Sequence, residues 1–179
     1  MVDQITVERI KLLHPAIKDE VMNMYVNEIV PALSGKAICR FAYTTRTFPE
    51  QAALFAQGRT RLFDANGKRL GIVTYAKPGQ SFHNFKLAFD IVLLVDKDKN
   101  GTFEAAEWNT TQDYDGDLKA DWMEIVNICE NHGFEAGIRW AGKKNDPPHF
   151  QKTFGYTWQQ LLDKYNRKDF IKGTDSVRL

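Results

Sequence analysis

His83 and Asp90 stand in the run Ser81-Phe82-His83-Asn84-Phe85-Lys86-Leu87-Ala88-Phe89-Asp90. A second histidine follows in Asp146-Pro147-Pro148-His149-Phe150. Two imidazoles and one carboxylate are a common protein ligand set for a catalytic zinc ion, which keeps its fourth position for water. Asp146 stands close to the last ligand without being needed as one, which is where a general base belongs. Together these residues could hydrolyse a bond with a metal-activated water. A lone histidine near an aspartate is ordinarily a hydrogen-bonded core pair, but here both halves sit in segments suited to holding a ligand. Ala88–Val95 is a short, apolar, β-branched run, hence a buried strand. Asp90 lies near its start and needs a partner or a metal, because burying a carboxylate alone is costly. Pro147 and Pro148 keep the chain extended just before His149.

These residues resemble the zinc peptidases that cut peptidoglycan stem peptides, a family that includes D-alanyl-D-alanine carboxypeptidases and the L-alanyl-D-glutamate endopeptidases found as phage endolysins. The family signature is Ser-x-His-x-x-Gly-x-Ala-x-Asp, then a carboxylate shortly before a final His-Phe. Ser81, His83, Ala88 and Asp90 match it, as does Asp146 ahead of His149-Phe150-Gln151. Upstream, Arg46-Thr47, Glu50-Gln51 and the run 54–60 are similar to the family's arginine-containing turn and following helix. Residues 73–80 lead into the first motif as in the endolysin branch, and Gly133-Phe134 through Trp140-Ala141-Gly142 resembles the run before the last histidine. The resemblance covers about residues 12–162. It implies zinc held by His83, Asp90 and His149, with Asp146 as general base. Arg46 is expected to stabilise an oxyanion or hold a substrate carboxylate, Ser81 to orient a ligand or touch substrate, and Trp140 to line the cleft. Gln51 is expected to be structural. Lys86 stands where the family has glycine, which leaves the local backbone shape and the substrate preference open.

A second metal motif follows the strand. Asp96-Lys97-Asp98-Lys99-Asn100-Gly101-Thr102-Phe103-Glu104-Ala105-Ala106-Glu107 matches the EF-hand calcium loop. Oxygen side chains fall at positions 1, 3 and 5, glycine at 6 and glutamate at 12. Asp96, Asp98, Asn100 and Glu107, with the backbone carbonyl of Thr102, are the expected calcium ligands; a solvated acidic hairpin tip is the alternative. Asp113-Tyr114-Asp115-Gly116-Asp117 adds carboxylates nearby, but its glycine falls one place early.

The elements that must position these residues read as α+β: a small, mostly antiparallel sheet flanked by helices, which the resemblance makes Hedgehog/DD-peptidase-like. Helices are expected over 6–14, 15–33, 49–57, 117–131 and 157–165. Strands are expected over 37–43, 72–75, 88–95 and 134–140, and around His149. The two cysteines, Cys39 and Cys129, are expected to be reduced core thiols, and His14 and His132 to be structural.

The 179 residues suit a single catalytic domain, 1–179, with 43% hydrophobic and 26% charged residues. A net charge of +1 gives no electrostatic case for nucleic acid or a membrane surface. No apolar signal core follows Met1, so the expected location is cytoplasmic as synthesised, with action on the cell wall after release. The expected partner is a peptidoglycan stem peptide, and the expected state is a monomer. The leading reading is an L-alanyl-D-glutamate endopeptidase of endolysin type. The alternatives are a D-alanyl-D-alanine carboxypeptidase, a non-catalytic calcium-binding interaction module, and the same fold with zinc in a structural or sensory role.

Overall fold

The computed structural model describes residues 1–179, apart from the side chain of Lys143. The chain forms β1 (Ala37–Tyr43), β2 (Ala88–Val95), β3 (Ala105–Glu107), β4 (Glu135–Ala136) and β5 (His149–Gln151). The helices are α1 (Gln4–Ile10), α2 (Lys18–Met24), α3 (Val30–Ala32), α4 (Phe48–Ala56), α5 (Asp121–Asn131) and α6 (Trp158–Asn166). All strand pairings are antiparallel, in the order β1-β2-β5-β4, with β3 also paired to β2. The class is α+β.

β2 is the central strand, and its alternation divides the sheet into two faces. Phe89, Ile91, Leu93 and Val95 point into the main core. There Phe89 stacks between Phe41 (4.4 Å between ring centroids) and Phe150 (5.3 Å). α5 covers this face with Trp122, Ile125, Val126 and Cys129, all buried. Val92 and Leu94 point the other way into a small cluster with Ile38, Ala42 and Phe103. Asp90 shares that second face, so the strand that builds the core also presents a carboxylate away from it.

Several elements differ from expectation. Residues 72–75 form no strand: Ile72, Val73 and Tyr75 are 49%, 55% and 72% exposed, so their apolar side chains have no sheet to pack on. The strand expected over 134–140 stops after Ala136, where Gly137–Arg139 turns into a 3-10 helix. The helix expected from 117 begins only at Asp121, after an acidic loop. The helix expected over 15–33 starts at Lys18 and passes through a π-helical turn, Tyr25–Ile29, before α3. Pro31, which cannot donate to the helical ladder, follows that turn. α4 is closed by a capping box between Thr47 and Glu50. Cys39 and Cys129 are buried free thiols. His14 is buried against the Val177 carbonyl (2.8 Å), and His132 pairs with Glu28 (2.7 Å). Among the described residues, no helix is long and apolar enough to cross a membrane.

One glycine matters directly to the site. The Gly137 carbonyl accepts from Asp146 N (3.0 Å), and a Cβ at Gly137 would stand 2.2 Å from the Asp146 carbonyl oxygen. Backbone meets backbone there, so no side chain can rotate out of the way. Gly137→Ala should therefore destabilise the fold by about 1–3 kcal/mol, the usual range for overpacking, and loosen the segment that carries His149. A melting temperature and zinc content equal to those of the unmodified protein would refute this.

Candidate active site

The site is built on a sheet register. Asp90 on β2 lies directly opposite His149 on β5. The His149 amide bonds the Asp146 carbonyl (3.0 Å), and the Ile91 amide bonds the Pro148 carbonyl (3.0 Å), so the Pro147-Pro148 segment is tied at both ends. His83 comes from the 3-10 turn Phe82–Phe85, which leads into β2. That turn closes on Lys86 at φ 64°, ψ 23°, the left-handed conformation glycine prefers. The lysine thus keeps a glycine-like backbone. Its amide bonds the His83 carbonyl (3.2 Å), and its ammonium pairs with Asp175.

His83 Nε2, His149 Nδ1 and Asp90 Oδ1 converge: each nitrogen is 3.1 Å from the carboxylate oxygen, and the nitrogens are 3.2 Å apart. The partners of the outer nitrogens decide what this triangle can hold. His83 Nδ1 lies 3.0 Å from the Thr44 carbonyl, which can only accept, so the proton sits on Nδ1 and Nε2 presents a lone pair. His149 Nε2 lies 3.1 Å from Gln151 Oε1, and the Gln151 amide nitrogen donates to Glu135 (2.9 Å), which orients the amide. His149 therefore carries its proton on Nε2, and its Nδ1 lone pair also faces inward. Two lone pairs and a carboxylate aimed at one point repel unless a cation lies between them. Donors around a tetrahedral zinc with bonds of about 2.05 Å stand about 3.3 Å apart, close to the separations seen. The donor set and its outer partners fit zinc.

Burial opposes charge on Asp90, yet His83 and His149 outweigh it and hold the carboxyl well below the usual range. Burial pulls His149 down, but its hydrogen bond and charge interaction with Asp90 raise it overall. In the metal-free protein a proton therefore competes for the place a cation would take.

Arg46 lies at the inner wall, 14% exposed. Its Nη1 donates to Gln51 (3.0 Å), its Nη2 is 3.5 Å from Asp90 Oδ2, and its Nε is buried without a partner. Gln51 is fully buried and donates to the Ala76 carbonyl (2.7 Å), so it fixes the guanidinium. Asp146 is at the exposed rim, and its tie to the triangle is through its backbone carbonyl, which accepts from the His149 amide. Partial desolvation and the charge of Asp90 raise its carboxyl above the ordinary value, against the pull of His149, His83 and Arg46. Trp140 flanks the site, with its ring 5.3 Å from that of His149. Ser81 begins the His83 turn through its carbonyl, which accepts from Asn84 N (3.0 Å), and its hydroxyl makes no capping bond.

The expected calcium residues are drawn together in part: Asp96, Asp98 and Asn100 meet at the loop, whereas Glu107 is engaged by a lysine. Asp96 accepts from the amides of Asn100 (3.0 Å) and Gly101 (2.9 Å), and Asn100 from that of Thr102 (2.7 Å). Asp98 accepts from the Asn100 side chain (2.9 Å). Glu107, however, pairs with Lys97 (2.9 Å). Among the described residues, Asp96, Asp98 and Glu107 form no carboxylate cluster. β3 pairs with β2 immediately after the loop, which makes 96–104 the tip of a hairpin.

The model of the D-alanyl-D-alanine carboxypeptidase family matches residues 74–152, a span containing both halves of the site. The peptidoglycan L-alanyl-D-glutamate endopeptidase CwlK of Bacillus subtilis (strain 168) is 40% identical over 140 residues, 78% of this chain and 72% of that one. The chain belongs to this peptidase family. The membership and the antiparallel sheet together make the fold Hedgehog/DD-peptidase-like. The solved L-Ala D-Glu endopeptidase ChiX of Serratia marcescens aligns over 84% of this chain and 87% of that one, with a TM-score of 0.47 and 19% identity.

Sequence matching points to His83, Asp90 and His149 and includes Gln151 in the matched run, but it gives no role to Gln151 or Glu135. Their signal is the alternation of β5, which puts Gln151 on the same face as His149. Gln151→Ala should weaken zinc binding about 10–100-fold by freeing the His149 tautomer, whereas His149→Ala should remove most of the zinc. Competition with a chromogenic chelator measures both; an unchanged affinity in Gln151→Ala would discard the orienting role.

Proposed function

We propose that this peptidase is a zinc-dependent L-alanyl-D-glutamate endopeptidase acting on peptidoglycan stem peptides. The observation that carries the zinc chemistry is the pair of inward lone pairs on His83 and His149 facing Asp90. The bond specificity is supported by the activity named for the Bacillus relative. D-alanyl-D-alanine carboxypeptidase activity, named by the family model, is the second reading.

In this reading His83, Asp90 and His149 hold the ion. A zinc ion held by these three side chains would supply an acidified water and polarisation of the scissile carbonyl. Asp146, at the rim with a raised carboxyl pKa, takes the water's proton and delivers it to the leaving amine. Arg46 presents a fixed guanidinium whose Nε has no protein partner, suited to an oxyanion or a substrate carboxylate. Gln51 holds that guanidinium in place. Trp140 lies beside His149 and walls the cleft where the peptide would lie.

Mass spectrometry of digested peptidoglycan fragments should show new amino-terminal D-glutamate. Release of terminal D-alanine alone would assign the carboxypeptidase reading instead. Asp146→Asn should keep its zinc and lose about 10²–10⁴-fold in kcat; loss of zinc in that variant would make Asp146 a ligand and not the base. Arg46→Ala should also keep zinc and lose about 10²-fold or more in kcat.

A further inference from the structure

The loop before α5 holds a second cluster of charge, remote in function from the peptidase site. Carboxylate oxygens of Asp113, Asp115 and Asp117 lie within 4.8 Å of one another, and so do those of Asp115, Asp121 and Glu124. Asp115 belongs to both sets, so two carboxylate triads meet at one residue. Donor oxygens on a single calcium ion, bonded at about 2.4 Å, stand no more than about 4.8 Å apart.

A cluster of acids on a surface needs no ion, but Asp121 is not on the surface. It is fully buried; its Oδ2 accepts from the Tyr114 amide (2.6 Å), while its Oδ1 has no partner. Glu124 Oε2 is likewise buried without a partner. Leaving a buried carboxylate oxygen unmet is costly. Desolvation, together with the neighbouring carboxylates, raises the pKa of both groups. Lys119 supplies one ammonium, 67% exposed, which reaches Asp117 Oδ2 (2.8 Å) and Glu124 Oε1 (3.7 Å). That single solvated charge leaves Asp121 Oδ1 and Glu124 Oε2 unanswered.

The spacing names the ion. Counted from Asp113, oxygen side chains fall at positions 1, 3, 5, 9 and 12 of a twelve-residue loop, ending at Glu124 in the first turns of α5. This is the EF-hand ligand pattern. Counted from Asp113, Gly116 stands at position 4, and position 6 carries a leucine where the pattern has glycine. Position 6 is Leu118, 94% exposed; it adopts a positive φ of 71°, as Gly101 at position 6 of the first loop does with φ 91°.

We propose that residues 113–124 bind calcium, through the side chains of Asp113, Asp115, Asp117, Asp121 and Glu124 and the backbone carbonyl of Lys119. The ion satisfies the buried oxygens of Asp121 and Glu124 and ties the acidic loop to the start of α5. The site is independent of the zinc reading and lies outside the loop at 96–107.

The test uses the full zinc-loaded chain in resin-treated, calcium-free buffer. Calorimetry with calcium chloride should show binding heat, and millimolar calcium should raise the melting temperature by several degrees. Magnesium should do so less, because it demands a tighter octahedron. Glu124→Gln and Asp115→Asn should abolish both responses, whereas Glu107→Gln should keep them. Without calcium, Glu124→Gln should melt no lower than the unmodified protein, since it removes charge from a crowded buried group; a purely structural carboxylate would give the opposite result. Absence of calcium heat in the unmodified protein would overturn the proposal, as would heat and stabilisation that survive Glu124→Gln or Asp115→Asn. Should Glu124→Gln fail to fold, the partly exposed Asp115→Asn decides.

Discussion

The antiparallel pairing of β2 with β5 is the constraint on which the site depends. It sets Asp90 opposite His149 on one face while Phe89 and Phe150 stack on the other. A slip of one residue would turn Asp90 into the aromatic core and Phe89 into the cleft. The core therefore fixes the register of the proposed metal site: Phe89, held between Phe41 and Phe150, cannot change faces without emptying the middle of the protein. A hydrophobic packing preference thus becomes precision in the placement of two polar side chains.

Placing the three groups is only half of the requirement, since an imidazole binds metal through an unprotonated nitrogen. Here the selection is made by acceptors outside the triangle. The Thr44 carbonyl holds the proton of His83 on its outer nitrogen, and Gln151, oriented by Glu135, does the same for His149. Arg46 completes the frame from the other side, close to the second oxygen of Asp90 and braced by Gln51. The turn that delivers His83 is equally constrained, because Lys86 holds a backbone conformation that costs a non-glycine residue energy. Its contacts to His83 and Asp175 hold it there.

The acidic loop before α5 follows another rule. In the peptidase site a carboxylate is buried beside imidazoles and a guanidinium. At Asp121 a carboxylate is buried beside other carboxylates, with a single lysine at the edge. Coulomb repulsion and desolvation then act in the same direction, which is why a cation is inferred there and why the first loop, whose glutamate already has Lys97, makes no such demand.

Much of this was legible from residue types and spacing. His83, Asp90, Asp146 and His149 with their flanking motifs point to the family, and the apolar runs over 37–43 and 88–95 are the strands that carry the sheet. Local pattern overreached where burial decides. Residues 72–75 look like a strand but lie exposed, and 134–140 shortens to two paired residues before Gly137 meets the Asp146 backbone. Three features required the tertiary structure: the lone-pair orientation of the histidines, the bracing of Arg46 by Gln51, and the unpartnered oxygen of Asp121. Each depends on which atoms face each other once the chain is packed and water is excluded. Sequence by itself determined the kinds of groups available and the faces on which strands display them; only the packed sheet and loops decided which lone pairs meet and which charges are left without a partner.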